Sequence, residues 1–99
     1  MADKFEWGDE KNATNLEKHG ISFEEAVAIF DGPVLTSVDD RFDYGEVREI
    51  SLGFLGETVV LSVTHTERSE RKRLISARKA SRAERKMFYD YLERTFGRD

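Results

Sequence analysis

Apolar positions in the first third of the chain recur at the spacing of two short helices. The first helix is predicted over 10–19, with Ala13 and Leu16 facing inward and Gly20 ending it. The second begins at Ser22, because a glutamate three residues further on completes the spacing of a capping box. Since only one or two residues separate the helices, we predict a compact helical hairpin.

After Pro33 the helical spacing gives way to the alternation that is typical of β-strands. Four strands are predicted, over 34–38, 47–54, 58–66 and 71–77. The connections between them are short, which indicates an antiparallel meander. A brief alternation at Phe5 and Trp7 fits either a short strand or an anchoring arm.

The last quarter of the chain carries the clearest helical pattern. Ser81 and Glu84 have the spacing of a second capping box, and Gly97 is placed to end the helix. Its apolar stripe comprises Met87, Phe88, Tyr91, Leu92 and Phe96. Together these elements predict an α+β fold in one domain over 1–99: an N-terminal helical hairpin, a four-stranded antiparallel β-sheet and a C-terminal helix.

Charge is distributed unevenly along the chain. The net charge is −4, but the segment 68–86 holds nine basic and two acidic residues, so it carries +7 and the remainder −11. A basic band on an acidic body suits a polyanion at the band and a basic protein elsewhere. The alternative is that the band is only the solvated face of a strand and a helix.

The composition excludes several classes of protein. There is no cysteine, which removes disulfides and thiolate chemistry, and two histidines make a poor transition-metal site. No P-loop or dinucleotide fingerprint occurs, so we expect neither a metal nor a cofactor. No apolar run has signal-peptide or membrane-spanning length. We therefore expect a cytoplasmic protein without a membrane partner.

Sequence blocks spread over nearly the whole chain match one known family in order and spacing. They include FEW at 5–7, KHGISFEEA at 18–26, FDGP at 30–33, HTER at 65–68 and RLISARKA at 73–80. On these blocks the chain resembles the BrnT family of toxins from type II toxin–antitoxin systems. It departs from the family at Gly8, where an aspartate is usual, and at Phe88, where a tyrosine is common.

The resemblance implies both an activity and partners. The fold would be similar to that of RelE-type ribonucleases, and the activity would be metal-independent RNA cleavage that inhibits translation and growth. A ribbon-helix-helix antitoxin similar to BrnA would neutralise the toxin in a hetero-tetramer, which would repress its own operon through antitoxin contacts to operator DNA. The alternative is a non-catalytic module that binds the antitoxin and acts only in transcriptional autoregulation.

Three arginines are candidates for stabilising charge during RNA cleavage. A metal-free reaction uses the RNA 2′-hydroxyl as nucleophile and develops negative charge around phosphorus. Arginine suits this charge because its planar fork holds two phosphate oxygens and stays protonated. Arg68, Arg73 and Arg78 lie near the ends of neighbouring predicted strands and could converge on one phosphate. Alternatively, they pair with carboxylates such as Glu67 and Glu70.

His65 and Glu67 are the candidates for proton transfer. Histidine has the side chain whose ordinary pKa suits this task near neutral pH. His65 shares strand parity with apolar residues, however, so a hydrogen-bonded histidine at the rim of the core is an equal expectation. Glu67 could orient His65 or act as the base, or it could simply pair with Arg68 or Arg71.

Four further cations are candidates for contacts to the RNA backbone. They are Lys18, Lys79, Arg82 and Arg85. The last three flank the start of the closing helix, whose free N–H groups favour an anion, and a solvated helix face is the alternative. Lys18 ends the first helix, where a cation also stabilises the helix dipole.

Overall fold

Residues 4–41, 43 and 45–97, which the computed structural model describes, form a sheet with helices on both of its faces. The strands are β1 (Phe5–Glu6), β2 (Leu35–Asp39), β3 (Arg48–Leu55), β4 (Val59–Arg68) and β5 (Arg71–Lys79). The helices are α1 (Asp9–His19), α2 (Phe23–Ala26) and α3 (Arg82–Phe96). The predicted α+β class is confirmed. No helix in this part of the chain is long and apolar enough to span a membrane.

The sheet has one strand more than predicted. Its order is β1-β5-β4-β3-β2, and the four predicted strands run antiparallel to one another. β1 lies parallel to β5, with Phe5 opposite Lys72 and Glu6 opposite Arg73. The prediction of a four-stranded antiparallel sheet is therefore wrong in that the sheet is five-stranded and mixed. Two extended residues carry too little pattern to reveal a strand before their partner is known.

Each face of the sheet supports its own hydrophobic core. On one face, which we name the hairpin face, the helical hairpin packs against the middle of β4 and the inner positions of β5. The buried residues of this core are Ile21, Phe23, Ala26, Ile29, Leu61, Val63, Leu74 and Ala77. On the opposite face, α3 inserts Phe88 between Leu52 and Val60, and the rings of Phe88 and Phe54 meet edge to face at 5.1 Å.

Both capping boxes are confirmed. At α2, the Ser22 hydroxyl accepts a hydrogen bond from the Glu25 N–H at 3.1 Å, and the Ser22 N–H donates to the Glu25 carboxylate at 3.0 Å. At α3, Ser81 and Glu84 make the equivalent pair at 3.1 and 2.8 Å. These contacts satisfy N–H groups that the first turn of a helix cannot pair. Only part of the predicted α3 stripe is covered, because Met87 and Phe96 remain exposed.

The buried face of α1 differs from the prediction. Ala13 and Leu16 are exposed, Leu16 by 49%, and Asn15 is buried instead. Asn15 Nδ2 donates to the Ala77 carbonyl at 2.8 Å, and Asn15 Oδ1 accepts the Ala77 N–H at 3.0 Å. The amide thus supplies the two hydrogen bonds that a neighbouring strand would give β5 beyond the end of β1. Leaving buried backbone groups unpaired is unfavourable enough to outweigh exposing one leucine.

The second helix, predicted from Ser22 as far as the Asp31-Gly32-Pro33 stop, is α-helical only in its first turn. After the single turn of α2, the chain continues as a 3₁₀ helix over Val27–Asp31, the tighter form that often ends a helix. This segment rests on β3 at Gly53, where a Cβ atom would lie 2.9 Å from the Ile29 Cβ. Glycine is therefore required by the close approach of the two elements.

A bulge in β5 determines which side chains share a face. Thr64 pairs with Ser76 whereas His65 pairs with Leu74, so Ile75 is an extra residue in β5. The bulge keeps Leu74 and Ala77 both in the hairpin-side core. Their neighbours Arg73 and Arg78 consequently lie together on the opposite face, although an odd number of positions separates them.

Candidate functional site

Five arginines lie on the sheet face opposite the helical hairpin. They are Arg48, Arg68, Arg71, Arg73 and Arg78, and we name this side the arginine face. Strand alternation places them there, because Arg73 precedes buried Leu74 and Arg78 follows buried Ala77. α3 covers the part of this face that β3 forms around Leu52. The five side chains are 26 to 54% exposed, so a ligand can reach them from solvent.

The arginine face carries its own carboxylates. Glu6 lies 3.3 Å from Arg73 and 3.9 Å from Arg71. Glu46 lies 3.3 Å from Arg48 and 3.6 Å from Arg68. Glu84 pairs with Arg78. The arginines thus pair with carboxylates, but with Glu6, Glu46 and Glu84 instead of the Glu67 and Glu70 named from the sequence. Asp39, opposite Arg48, pairs with Arg41, so the five arginines and these three carboxylates leave the face an excess of positive charge.

The pair of Arg78 and Glu84 joins β5 to α3. Arg78 Nη1 and Nη2 donate to the two Glu84 carboxylate oxygens at 2.8 and 2.9 Å. These hydrogen bonds, more than any other contact, lower the pKa of Glu84 to about 2. They also raise the pKa of Arg78, an effect that partial burial and, less strongly, the nearby charge of Arg41 oppose. Both groups therefore stay ionised at physiological pH.

The sheet register separates two of the three candidate arginines. Arg78 lies opposite Ser62, whereas Arg68 lies opposite Arg71 at the far end of β4. Arg68 and Arg78 are thus about 20 Å apart along the strands at 3.3 Å per residue. Arg73 lies between them. The arrangement suits successive phosphates of an extended strand better than a single phosphate that contacts all three arginines.

His65 lies on the hairpin face, inside the core. Its side chain is 1% exposed, and its Nε2 is 2.7 Å from the Ser51 hydroxyl, which is itself 2.7 Å from the Thr36 hydroxyl. The ring meets Phe30 edge to face at 5.4 Å. The position is that of a hydrogen-bonded core histidine, the second of the two expectations from the sequence.

The surroundings of His65 favour its neutral form. Burial, followed by the positive charge of Lys72, lowers the pKa of His65 to about 4, although Glu67 acts in the opposite direction. Nδ1 has no hydrogen-bond partner among the described residues, and the Glu49 carboxylate is 3.9 Å away. At neutral pH this histidine is therefore uncharged and closed off from solvent.

Glu67 lies on the hairpin face as well, but at the exposed end of β4. Its carboxylate is 3.6 Å from Lys72, so the partner expected from the sequence, Arg68 or Arg71, is wrong. Glu67 borders a groove that it shares with Glu46 and Thr66. Of the five candidate catalytic residues, the arginines thus share one face, and His65 and Glu67 share the other.

The candidate backbone contacts fall into two places. Lys18 borders a groove between α1 and the edge of β5. Lys79, Arg82 and Arg85 surround the junction of β5 and α3, where Arg85 donates to the Ala80 carbonyl at 3.3 Å. Lys79 and Arg82 make no side-chain hydrogen bond or ion pair with a described residue. The carboxylate of Glu84 already accepts a hydrogen bond at the start of α3, where an RNA phosphate was expected.

Two carboxylates of this site are not predicted from the sequence. Glu84 is predicted only as part of the capping box, and Glu6 only as part of the FEW block. Their contacts to Arg78 and Arg73 cross from one element to another, so no local spacing reveals them. Within the described residues, no group of three or more histidine, aspartate or glutamate side chains is arranged to hold a metal ion.

The fold and the arginine face define a small α+β protein whose open sheet face suits a polyanion. The profile of the family described as "Ribonuclease toxin, BrnT, of type II toxin-antitoxin system" matches residues 7–84. The chain therefore belongs to the BrnT family of ribonuclease toxins of type II toxin–antitoxin systems. The family predicted from the sequence blocks is confirmed.

A solved structure supports the same fold. The chain is similar to the ribonuclease toxin BrnT of Brucella abortus, whose crystal structure has a resolution of 1.1 Å. The two share 22% sequence identity over 79% of this chain and 96% of that chain, with a TM-score of 0.60. No curated protein sequence matches the chain.

Proposed function

We propose that this protein is a single-domain, metal-independent endoribonuclease toxin that binds RNA on the arginine face and inhibits translation and growth in the cytoplasm. The observation that carries the proposal is the collection of five partly exposed arginines on one sheet face of a ribonuclease-toxin family member. Phosphate contacts dominate the affinity of proteins for nucleic acids, and arginine is suited to them.

The reaction follows from the chemistry of RNA. The 2′-oxygen attacks the adjacent phosphorus and the bond from phosphorus to the 5′-oxygen breaks, which leaves a 2′,3′-cyclic phosphate and a 5′-hydroxyl. A base takes the 2′-hydroxyl proton and an acid protonates the 5′-oxygen. Arg73 stabilises the negative charge on the phosphate oxygens in the transition state, and Arg78, about 13 Å away along the strands, holds a phosphate further along the RNA. Arg68 holds a neighbouring phosphate, and Lys18, Lys79, Arg82 and Arg85 contact the RNA backbone.

The solvent exposure of Glu67 and His65 decides which of them we assign to proton transfer. Glu67 is accessible and borders the groove that it shares with Thr66, a residue on the arginine face, so we assign Glu67 as the proton acceptor. His65 is closed off from solvent and bonded to Ser51. We therefore assign His65 a positioning role, in which it joins β3 to β4 behind the arginine face.

The proposal includes an antitoxin. Type II systems pair the toxin with a protein antitoxin, and family membership supports such a partner here. We propose that a ribbon-helix-helix antitoxin similar to BrnA neutralises the toxin in a hetero-tetramer and contacts operator DNA to repress the operon. Co-production of the antitoxin should restore growth, and light scattering of the purified complex should give the mass of two copies of each chain.

The test of the activity is expression of the chain alone in a bacterial host, with mapping of RNA ends. We expect growth arrest and discrete new RNA ends that carry a 5′-hydroxyl. The double variant Arg73→Gln/Arg78→Gln should lose cleavage by at least about 100-fold, the usual effect of removing charge-stabilising donors. The control Lys86→Gln/Arg94→Gln changes the net charge equally, at two α3 residues to which we assign no RNA contact, and should behave like the wild type.

Two outcomes would contradict the proposal in different ways. If the Arg73→Gln/Arg78→Gln variant still arrests growth and produces the same RNA ends, the site is not on the arginine face. If the folded wild-type protein leaves growth and RNA unchanged, the protein is instead the non-catalytic module that acts through its antitoxin.

A further inference from the structure

The carboxylate of Glu84 is held in place from two sides. Arg78 donates to both of its oxygens, at 2.8 and 2.9 Å, and the backbone N–H of Ser81 donates to Oε1 at 2.8 Å. The Arg78 side chain is nevertheless 41% exposed. The guanidinium that we assign to RNA phosphate is therefore accessible from solvent but already carries a ligand.

A carboxylate and a phosphate bind a guanidinium in the same way. Each offers two oxygens to the parallel N–H groups of the arginine fork. The Glu84 oxygens therefore occupy positions that two oxygens of an RNA phosphate would occupy. RNA that binds Arg78 side-on has to displace Glu84 from it.

We propose that Glu84 is a built-in competitor of RNA phosphate at Arg78, and that it limits the affinity of the toxin for RNA. This inference rests on the proposed function. Glu84 is a positioning residue, because it acts on RNA binding through Arg78. RNA displaces Glu84 from Arg78 and makes no lasting contact with it.

The local structure allows a phosphate to replace Glu84 at Arg78. Capping α3 requires only Oε1, so the carboxylate can leave Arg78 while it keeps its hydrogen bond to Ser81. The displaced negative charge would remain at the N-terminus of α3, where the helix dipole stabilises it. Because the pKa of Glu84 is about 2, the carboxylate competes throughout the physiological pH range.

The experiment measures RNA affinity for the full-length chain over a series of salt concentrations. The probe is a short single-stranded RNA whose 2′-hydroxyls are methylated, so that it cannot be cleaved. Glu84→Gln removes the charge and keeps an oxygen for Ser81. We expect this variant to bind about tenfold tighter at low salt, because a partly exposed competing ion pair has been removed. The plot of log K against log[salt] should steepen by about 0.7, the contribution of one phosphate contact in single strands.

Glu93→Gln is the matched control. It removes the same charge from an exposed position on the same helix, where no side-chain contact to an arginine is present among the described residues. This variant should keep the wild-type slope. Glu84→Asp is a second test, because the shorter side chain can still cap α3 but withdraws its carboxylate from Arg78; it should also bind RNA more tightly.

The outcomes separate the inference from the proposed function. If wild type binds and cleaves RNA but neither folded Glu84 variant binds more tightly, Glu84 is only a strut between β5 and α3, and the inference is wrong. If Glu84→Gln does not fold, the RNA affinity of Glu84→Asp decides whether Glu84 competes with RNA. If wild type neither binds nor cleaves RNA, the proposed function fails and the inference fails with it.

Discussion

His65 shows how the burial of one residue limits its chemistry. Hydroxyl groups on β3 and β2 continue its hydrogen bond outward, through Ser51 to Thr36. The charged groups that face it are few: Glu49 at 3.9 Å, and Lys72 and Glu67, whose charges act on its pKa in opposite directions. Burial is the largest effect, so the folded protein holds a neutral imidazole at neutral pH.

This neutral histidine makes stability depend on pH. Its pKa is about 4 in the folded protein and 6.5 ordinarily, so below pH 6.5 the unfolded chain binds a proton that the folded chain does not. The contribution of His65 to the free energy of unfolding is therefore present in full above pH 6.5 and is lost as the pH falls toward 4. We expect urea unfolding to report a loss of about 2 kcal/mol between pH 7 and pH 5.

The matched variant is His65→Gln, whose amide can still bond to Ser51 but does not titrate. Its stability should change less than that of wild type between pH 7 and pH 5, and the difference isolates His65 from the carboxylates. If the unfolding free energies of the two proteins changed equally between pH 7 and pH 5, His65 would not be held neutral in the folded state.

At the scale of elements, close backbone contacts decide how the helical hairpin meets the sheet. Asn15 of α1 completes the edge of β5 with two hydrogen bonds to Ala77. The 3₁₀ segment approaches β3 so closely that Gly53 has no room for a methyl group. These contacts position β5 and β3, and so they support the arginine face from behind.

We expect Gly53→Ala to destabilise the protein by about 1 to 3 kcal/mol, the usual range for overpacking a core. The new methyl would lie 2.9 Å from the Ile29 Cβ and 3.3 Å from its carbonyl oxygen, so backbone has to move. Gly32→Ala is the control, because a methyl group added there would meet nothing within 4 Å and the backbone is extended. Similar unfolding free energies for the two variants would mean that the 3₁₀ segment is not tightly packed on β3.

At the scale of the whole molecule, ion pairs reduce the basic band to a smaller binding surface. Six of the nine cations in 68–86 lie within ion-pair distance of a carboxylate. The other three are Lys79, Arg82 and Arg85, which surround the start of α3. The net positive charge of the segment therefore overstates the number of cations that can release counterions when RNA binds.

The salt dependence of RNA binding should reflect this smaller number. With about 0.7 per phosphate contact for single strands, three contacts give a slope of about −2 for log K against log[salt], and nine would give about −6. The measurement is the affinity of the wild-type chain for the non-cleavable RNA at several salt concentrations. A paired arginine that exchanges its carboxylate for a phosphate leaves a carboxylate that takes up a counterion, so it adds little to the slope. A slope near −6 would mean that the ion-paired cations contribute as fully as the unpaired ones.

The sequence by itself determined the elements whose signals are local. The two capping boxes, the strands β2 to β5 and α3 follow from spacing, alternation and the residues that end helices, because these act between near neighbours in the chain. The ordered blocks also identified the family. The candidate arginines followed from their residue type and from that family resemblance.

Only the tertiary structure decided which residues of distant segments lie opposite each other. β1 became a strand because β5 offered it an edge, and Asn15 displaced Leu16 from the interior because Ala77 needed hydrogen-bond partners. The bulge at Ile75 placed Arg73 and Arg78 on one face. The contact of Arg78 with Glu84 likewise joins two different elements. Such contacts depend on register and packing between distant segments, and no local pattern encodes them.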